Sequence, residues 1–207
     1  MKVLLINGSP KPRGCTHNAL AVVKEQLEQA GLQTEMIHVG HKPIHGCIAC
    51  MKCKTTGKCV FNDAVNEVAA KLEVADGIVV GTPVYFSGMT GTLKCFLDRL
   101  FFSVGFDKSM KVGAAVASSR RSGSVFTIDS INHYFNHGEM PVASSRYWNE
   151  IHGNAPEELL QDQEGLQILR VLGRNMAFLV KSIQLGKTQY GLPQKESRIA
   201  TNFVRQI

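Results

Sequence analysis

The chain has 207 residues, of which 44% are hydrophobic, and its formal net charge is +6 at pH 7. We expect one domain over residues 1–207, which is large enough to bury a core without disulfides. We also expect a cytoplasmic protein with no membrane contact, because no apolar run suits a signal peptide or a membrane span. The basic residues are scattered, which argues against nucleic-acid binding and favours a surface that attracts anionic cofactors or an acidic redox partner.

Strands alternate with helices along the chain. Apolar runs predict strands at Lys2–Ile6, Thr34–Val39, Gly77–Thr82, Val112–Ala117 and Pro141–Ser144. Apolar residues at helical spacing predict helices at Asn18–Ala30, after a cap at Asp63, at Gly91–Ser103, from about Ser124 to Phe135, and at Glu157–Leu185. This alternation predicts an α/β fold with a doubly wound five-stranded parallel sheet covered by helices on both faces. Such sheets bind ligands beyond the carboxyl ends of the strands, where three loops lie.

The first loop, residues 8–18, joins the first strand to the first helix. Free N–H groups at a helix start bind phosphate well. The loop has neither the Gly-Lys-Ser/Thr ending of a nucleoside-triphosphate loop nor a G-x-G-x-x-G fingerprint, which leaves a monophosphate such as that of FMN. An ordinary strand-to-helix turn explains the loop equally well. The candidate residues are Ser9, Arg13, Gly14, Thr16, His17 and Asn18.

The second loop, residues 81–91, and the third, residues 118–124, follow the third and fourth strands. The aromatic pair of the second loop suits stacking on a flat ring, although such a pair is more often part of a core. Hydroxyls, glycine and paired arginines in the third loop suit a ring edge or the phosphate of a nicotinamide cofactor, and a solvated turn is the alternative. The candidate residues are Pro83, Val84, Tyr85, Phe86, Ser87, Gly88, Ser118, Ser119, Arg120 and Gly123.

Four of the six cysteines lie within thirteen residues, in a loop at about residues 45–60. They are Cys47, Cys50, Cys53 and Cys59. Two consecutive C-x-x-C steps gather three thiolates, and the turn at Gly57 can bring in the fourth, as an iron–sulfur cluster requires. The spacing differs from that of ferredoxins and favours one cluster per chain. A four-thiolate zinc site, thiol–disulfide chemistry and a loop that is merely rich in cysteine are the alternatives.

Together these motifs resemble the flavodoxin-like NAD(P)H-dependent FMN reductases over nearly the whole chain. The resemblance rests on Gly8-Ser9-Pro10 with Gly14-x-Thr16-x-Asn18, on the cysteine run, and on Pro83-Val84-Tyr85-Phe86 followed by Gly91-x-x-Lys94-x-x-x-Asp98-Arg99. Within that family the cysteine spacing is most similar to that of the iron–sulfur flavoproteins.

The resemblance implies a flavodoxin-like sheet in the order 2-1-3-4-5, bound FMN and a 4Fe–4S cluster on the four cysteines. It also implies NAD(P)H or a reduced ferredoxin-like partner as electron donor, a small-molecule or protein acceptor, and a homodimer or tetramer with the flavin near the subunit contact. Since a flavin carries the chemistry itself, we expect no catalytic side chain. A flavin-bound electron carrier without turnover and a metal-stabilised module that has lost flavin are the alternatives.

Further positions follow from the same interpretation. Cys95 lies on an apolar helix and is expected in the core, and Cys15 is expected to be a packed bystander. Trp148 and His152 follow the predicted fifth strand, where they would cover the flavin or form a structural junction before the last helix. Tyr147–Asn154 and the last helix supply the apolar and aromatic surface expected at a subunit contact.

Overall fold

The computed structural model describes residues 1–197 and 199, so the last residues of the predicted domain lie outside the described part. At its centre is an all-parallel sheet in the order β2-β1-β3-β4-β5, which confirms the predicted fold. The strands are β1 (Lys2–Asn7), β2 (Gln33–His38), β3 (Gly77–Pro83), β4 (Val112–Ser119) and β5 (Glu150–His152). The helices are α1 (Cys15–Gln29), α2 (Cys53–Thr56), α3 (Ala64–Val74), α4 (Gly91–Ser103), α5 (Ser124–His137), α6 (Pro156–Leu159) and α7 (Gln163–Tyr190).

The central strands are apolar on both faces because helices cover both sides of the sheet. Along β1, Val3 and Leu5 pack into the cluster formed with α1 and α7, while Leu4 and Ile6 pack into the cluster formed with α3, α4 and α5. This alternation is the two-residue period of a strand. The sheet is therefore held from both sides, and its carboxyl edge is a fixed platform for the loops.

The predicted fifth strand, Pro141–Ser144, is wrong. Its residues make a single parallel bridge, between Val142 and Gly113 at the start of β4. The fifth strand is Glu150–His152, which pairs with the last residues of β4. This short edge strand has one fully buried residue, Ile151, and gives no apolar run that the sequence could reveal. Its position delivers the following residues to the carboxyl edge of the sheet.

The predicted last helix, Glu157–Leu185, is two helices, α6 and α7. Asp162 separates them and caps α7, because its carboxylate accepts a hydrogen bond from the Gly165 N–H at 2.9 Å. The same carboxylate accepts from the His152 N–H at 2.8 Å, which ties the start of α7 to β5. Within the described residues, the helices include none that is both long and apolar enough to cross a membrane.

Candidate functional site

A cleft of about 240 Å³ opens at the carboxyl ends of β1, β3 and β4. All three predicted loops contribute to it. Eight predicted residues line it, namely Ser9, Thr16, Pro83, Val84, Tyr85, Ser118, Ser119 and Arg120. The sequence did not predict five further lining residues, namely Pro10, Lys11, Cys15, Gly153 and Asn154. The last two follow β5, so the misplaced fifth strand hid them.

The first loop is shaped by the buried Asn7 at the end of β1. The Asn7 carboxamide oxygen accepts from the Ser9 N–H at 3.0 Å, and its nitrogen donates to the Pro12 carbonyl at 3.4 Å. The Ser9 hydroxyl oxygen accepts from the Lys11 N–H at 3.1 Å, which leaves the hydroxyl proton free for an anion. The loop therefore presents a polar surface suited to a negatively charged group.

Helix α1 begins at Cys15, three residues before the predicted start. Its cap residue is Gly14, no side chain caps its first N–H groups, and its first turn contains no acidic residue. Such an end combines free donors with the positive end of the helix dipole. Burial raises the pKa of the Cys15 thiol above its ordinary value, despite a backbone hydrogen bond that lowers it. The thiol is therefore protonated near neutral pH.

Two hydroxyl pairs hold the third loop. The Thr16 and Ser118 hydroxyl oxygens lie 2.8 Å apart and both side chains are buried, so the first and third loops are joined directly. The Ser119 and Ser124 hydroxyl oxygens lie 3.1 Å apart, which fixes the end of β4 to the first turn of α5. In each pair one hydroxyl donates to the other, and the second keeps its proton for another acceptor.

Four predicted phosphate-loop residues lie outside the cleft lining. Arg13 is exposed and His17 is half-buried, while Gly14 is the cap of α1. The Asn18 side-chain nitrogen donates to the Gly14 carbonyl at 3.0 Å, which closes the first turn of α1. These residues shape the helix start, and a direct contact between any of them and a ligand remains a prediction.

The second loop contains a tight reversed turn at the rim of the cleft. Tyr85 and Gly88 exchange backbone hydrogen bonds of 2.8 and 2.9 Å, and the two residues between them, Phe86 and Ser87, have φ values of 49° and 59°. Glycine and asparagine are usual at such positions. The Phe86 side chain is fully exposed. A strained turn that exposes a large aromatic ring is typical of a binding loop rather than a stabilising one.

Gly123 sets the spacing between the second and third loops. Its φ is 92°, and a Cβ added there would lie 2.9 Å from the Ser87 hydroxyl oxygen. Any other residue would therefore be strained and would push the reversed turn outward. Phe86, Ser87, Gly88 and Gly123, all predicted cofactor residues, thus form the rim and support of the cleft rather than its lining.

The segment before β5 brings more aromatic surface to this side. Tyr147 and Trp148 pack edge to face, with ring centroids 4.3 Å apart, and both are about half exposed. His152 Nε2 lies 3.2 Å from the Arg121 carbonyl oxygen, so its ring contacts the third loop. The predicted covering of a flavin by Trp148 and His152 stays a prediction.

The four cysteines of the run line one small cavity between their loop and α4. All six cysteines of the chain are free of disulfides. Ala49 and Met51 have φ values of 52° and 60°, and these left-handed residues turn the chain between the cysteines. Gly57, at φ 68°, ends α2 at the predicted turn. Within the described part of the chain, no three His, Cys, Asp or Glu side chains converge closely enough to hold a metal ion.

Two polar side chains of α4, Arg99 and Ser103, also line this cavity. Arg99 is 1% exposed, and its terminal nitrogens donate to the Asp63 carboxylate at 2.7 and 3.0 Å. Burial disfavours its charge, but the hydrogen bonds to Asp63 and Cys59 outweigh that penalty and raise the pKa of Arg99. Ser103 is buried, and its hydroxyl has no hydrogen-bond partner. In chemical type, four thiols and an unpaired buried hydroxyl in one cavity match the ligands and hydrogen-bond donors of an iron–sulfur cluster.

A family model described as NADPH-dependent FMN reductase matches residues 1–154. The match spans all five strands, the three loops and the cysteine run. The chain belongs to the NADPH-dependent FMN reductase family. The predicted resemblance is thereby confirmed.

Two individual relatives of this FMN reductase family member are iron–sulfur flavoproteins. It is 38% identical to an iron–sulfur flavoprotein of Methanocaldococcus jannaschii over 192 residues, which cover 89% of this chain and 100% of the relative. It is 30% identical to an iron–sulfur flavoprotein of Methanosarcina thermophila over 189 residues, which cover 89% of this chain and 97% of the relative.

Solved structures share the fold of this family member. RosB, solved with bound 8-demethyl-8-formylriboflavin-5'-phosphate, matches with a TM-score of 0.75 at 16% identity, over 98% of this chain and 92% of RosB. An archaeal flavodoxin matches with a TM-score of 0.57 at 19% identity, over 87% of this chain and 99% of the flavodoxin. At these identities the likeness concerns the flavodoxin-like fold alone.

Proposed function

We propose that the protein is an FMN-dependent oxidoreductase of the iron–sulfur flavoprotein type. It takes electrons from NAD(P)H or from a reduced ferredoxin-like protein and passes them to a small-molecule or protein acceptor. The observation that carries this proposal is the convergence of the loops after β1, β3 and β4 on one cleft. Ligands of doubly wound sheets bind at this edge, and membership of the FMN reductase family supports FMN as the ligand.

The first loop would hold the FMN phosphate. The free proton of Ser9, the uncapped N–H groups of α1 and the Lys11 side chain supply donors and positive charge at one end of the cleft. The loops after β3 and β4 would hold the ring, with Val84 and Tyr85 against it and the Thr16–Ser118 pair fixing the loops around it. When bound, FMN supplies the transfer of hydride and of single electrons. The chain binds and orients the ring and leaves it open to a donor.

The four cysteines would hold a single 4Fe–4S cluster, which supplies one-electron transfer when it is present. They share one cavity with an otherwise apolar wall, and the two curated relatives described above are both named iron–sulfur flavoproteins. The loop around them exposes the apolar side chains of Ile48, Met51 and Val60 beside Lys52, Lys54 and Lys58. An apolar patch with cationic neighbours suits docking of an acidic ferredoxin-like protein.

We also propose a homodimer or tetramer with the flavin near the subunit contact. Large aromatic side chains are exposed on the second loop, on the first turn of α5 and on the segment before β5. They are Tyr85, Phe86, Phe126, Tyr147 and Trp148. Aromatic residues are enriched in protein interfaces relative to the rest of the surface.

The test is anaerobic purification followed by stopped-flow reduction of the bound flavin by NADH, NADPH or a reduced ferredoxin. We expect saturable flavin reduction by at least one of these donors, with electrons then passing to the cluster. A colourless protein that regains neither flavin nor iron on reconstitution would contradict the proposal. A flavin that only an artificial reductant reduces would favour the electron carrier without turnover of its own.

A further inference from the structure

One face of α4 lies beneath the cysteine loop. Cys95, Arg99 and Ser103 recur every four residues and so share a side of the helix. A Cβ added at Gly46, beside the first cysteine of the run, would lie 3.8 Å from the Cys95 sulfur. Arg99 and Ser103 both line the cysteine cavity. The cavity therefore has a floor made by α4, a helix whose position the sheet fixes, under the loop that carries the four thiols.

Ser103 is the unsatisfied group of this floor. The residue is 4% exposed, and its hydroxyl oxygen makes no hydrogen bond. Leaving a buried hydroxyl without a partner costs about 1–3 kcal/mol. A group with lone pairs inside the cavity would remove that cost. Thiolate and cluster sulfur atoms are such acceptors, whereas the carbon atoms of the cavity wall are not.

Arg99 is the second donor, and it is rigidly held. Its Nε–H donates to the Cys59 sulfur at 3.2 Å, while a terminal nitrogen donates to the His45 carbonyl at 3.2 Å. Both terminal nitrogens also bind Asp63, which in turn caps α3 by accepting from the Val65 N–H at 3.1 Å. The guanidinium group thus has a fixed orientation in which one N–H is directed at a single sulfur.

Cys59 is fixed from its backbone as well. Its N–H donates to the Asn66 carboxamide oxygen at 2.9 Å, and the Asn66 nitrogen donates to the Cys59 carbonyl at 3.0 Å. Cys47 and Cys50, by contrast, are exposed. Cys59 is consequently the preorganised thiol of the four.

We propose that Arg99 and Ser103 are positioning residues for the cluster, Arg99 donating to the Cys59 thiolate and Ser103 to a sulfur atom of the cluster. This inference rests on the proposed function. Hydrogen bonds to sulfur stabilise the more negative, reduced state, so both residues raise the reduction potential and retain the iron.

The decisive variant is Ser103→Ala, measured by EPR-monitored redox titration of the anaerobically reconstituted protein. We expect the ratio of reduced to oxidised cluster at a fixed potential to fall roughly tenfold, on the scale of one hydrogen bond to a charged group. This equals a potential about 59 mV lower for a one-electron couple. Ser130→Ala is the matched control, because the Ser130 hydroxyl donates to the Thr127 carbonyl at 2.8 Å on α5. The control is expected to keep the wild-type potential.

If Ser103 were needed only for the fold, Ser103→Ala would lower the potential only by lowering the stability of the protein. Removing an unpaired buried hydroxyl leaves the apoprotein equally stable or more stable, so a lower potential without lower stability identifies the hydrogen bond. Arg99→Lys keeps the positive charge but loses the planar guanidinium group and its fixed N–H donors. We expect a lower reduction potential and at least threefold faster loss of iron to a chelator. If Arg99→Lys does not fold, Ser103→Ala decides.

The outcomes separate the two proposals. Wild-type protein that binds no iron after anaerobic reconstitution would overturn the proposed cluster and this inference together. Wild-type protein with a cluster, but with Ser103→Ala at the potential of the Ser130→Ala control, would overturn this inference alone and leave the proposed function in place.

Discussion

The Ser9 hydroxyl offers the sharpest test of the phosphate end of the cleft. In Ser9→Ala the Lys11 N–H loses its acceptor, and a bound phosphate loses one hydroxyl donor. A hydrogen bond to a charged group contributes about 1.5–3 kcal/mol. Since 1.4 kcal/mol is tenfold in affinity, we expect the FMN dissociation constant to rise about 10- to 100-fold. The first loop keeps its shape because the Asn7 side chain still binds its backbone.

The assay is titration of the flavin-free protein with FMN, followed by quenching of FMN fluorescence. Ser109→Ala is the matched control, because the Ser109 hydroxyl bonds to Asp107 on an exposed turn away from the cleft. Control and wild type are expected to bind FMN equally. A Ser9→Ala dissociation constant within about threefold of wild type would refute the placement of the phosphate.

Four further predictions concern stability, pH dependence and assembly. Gly123→Ala places a Cβ 2.9 Å from the Ser87 hydroxyl oxygen at a φ of 92°. It should lower the free energy of unfolding in urea by at least about 1–2 kcal/mol. An unchanged midpoint of the urea unfolding transition would contradict the strain. Phe86→Gly relieves a left-handed residue and should raise that free energy by about 1 kcal/mol; lower stability would show that the ring packs on something. Burial, and then the hydrogen bond to Asp98, raise the pKa of Tyr134 to about 12 from 10. The folded state thus keeps a proton that the unfolded state loses, so stability should fall as pH rises from about 10 to 12, with a shallower slope in Tyr134→Phe; equal slopes in wild type and variant would contradict this linkage. Light scattering at micromolar concentration should give a dimer or a larger assembly, and a monomeric mass would refute the proposed subunit contact.

The sheet was predictable from sequence because its central strands carry the signal. Val3–Ile6 and Ile78–Val80 are buried on both faces, and continuous apolar runs of that kind indicate parallel strands. The fifth strand was not predictable. Pro141–Ala143 is the more apolar segment, yet it makes only one bridge, whereas Glu150–His152 forms the strand through its pairing with the end of β4.

The position of the cleft was predictable once the sheet was predicted, because the carboxyl ends of parallel strands place their loops side by side. Ser9, Val84 and Ser118 could therefore be assigned to one site from the sequence alone. The floor of the cysteine cavity could not, since it depends on the packing of α4 against a loop some forty residues earlier in the chain. The only sequence signal was an arginine at position 99 on the apolar face of a helix, where charged residues are rare unless paired.

The most direct test of the central claim is a crystal structure of the protein grown anaerobically with FMN. The account predicts electron density for the phosphate against Ser9 and the first turn of α1, with the ring between the loops that follow β3 and β4. FMN bound elsewhere on the surface, or a cleft that stays free of FMN at saturating concentration, would contradict it.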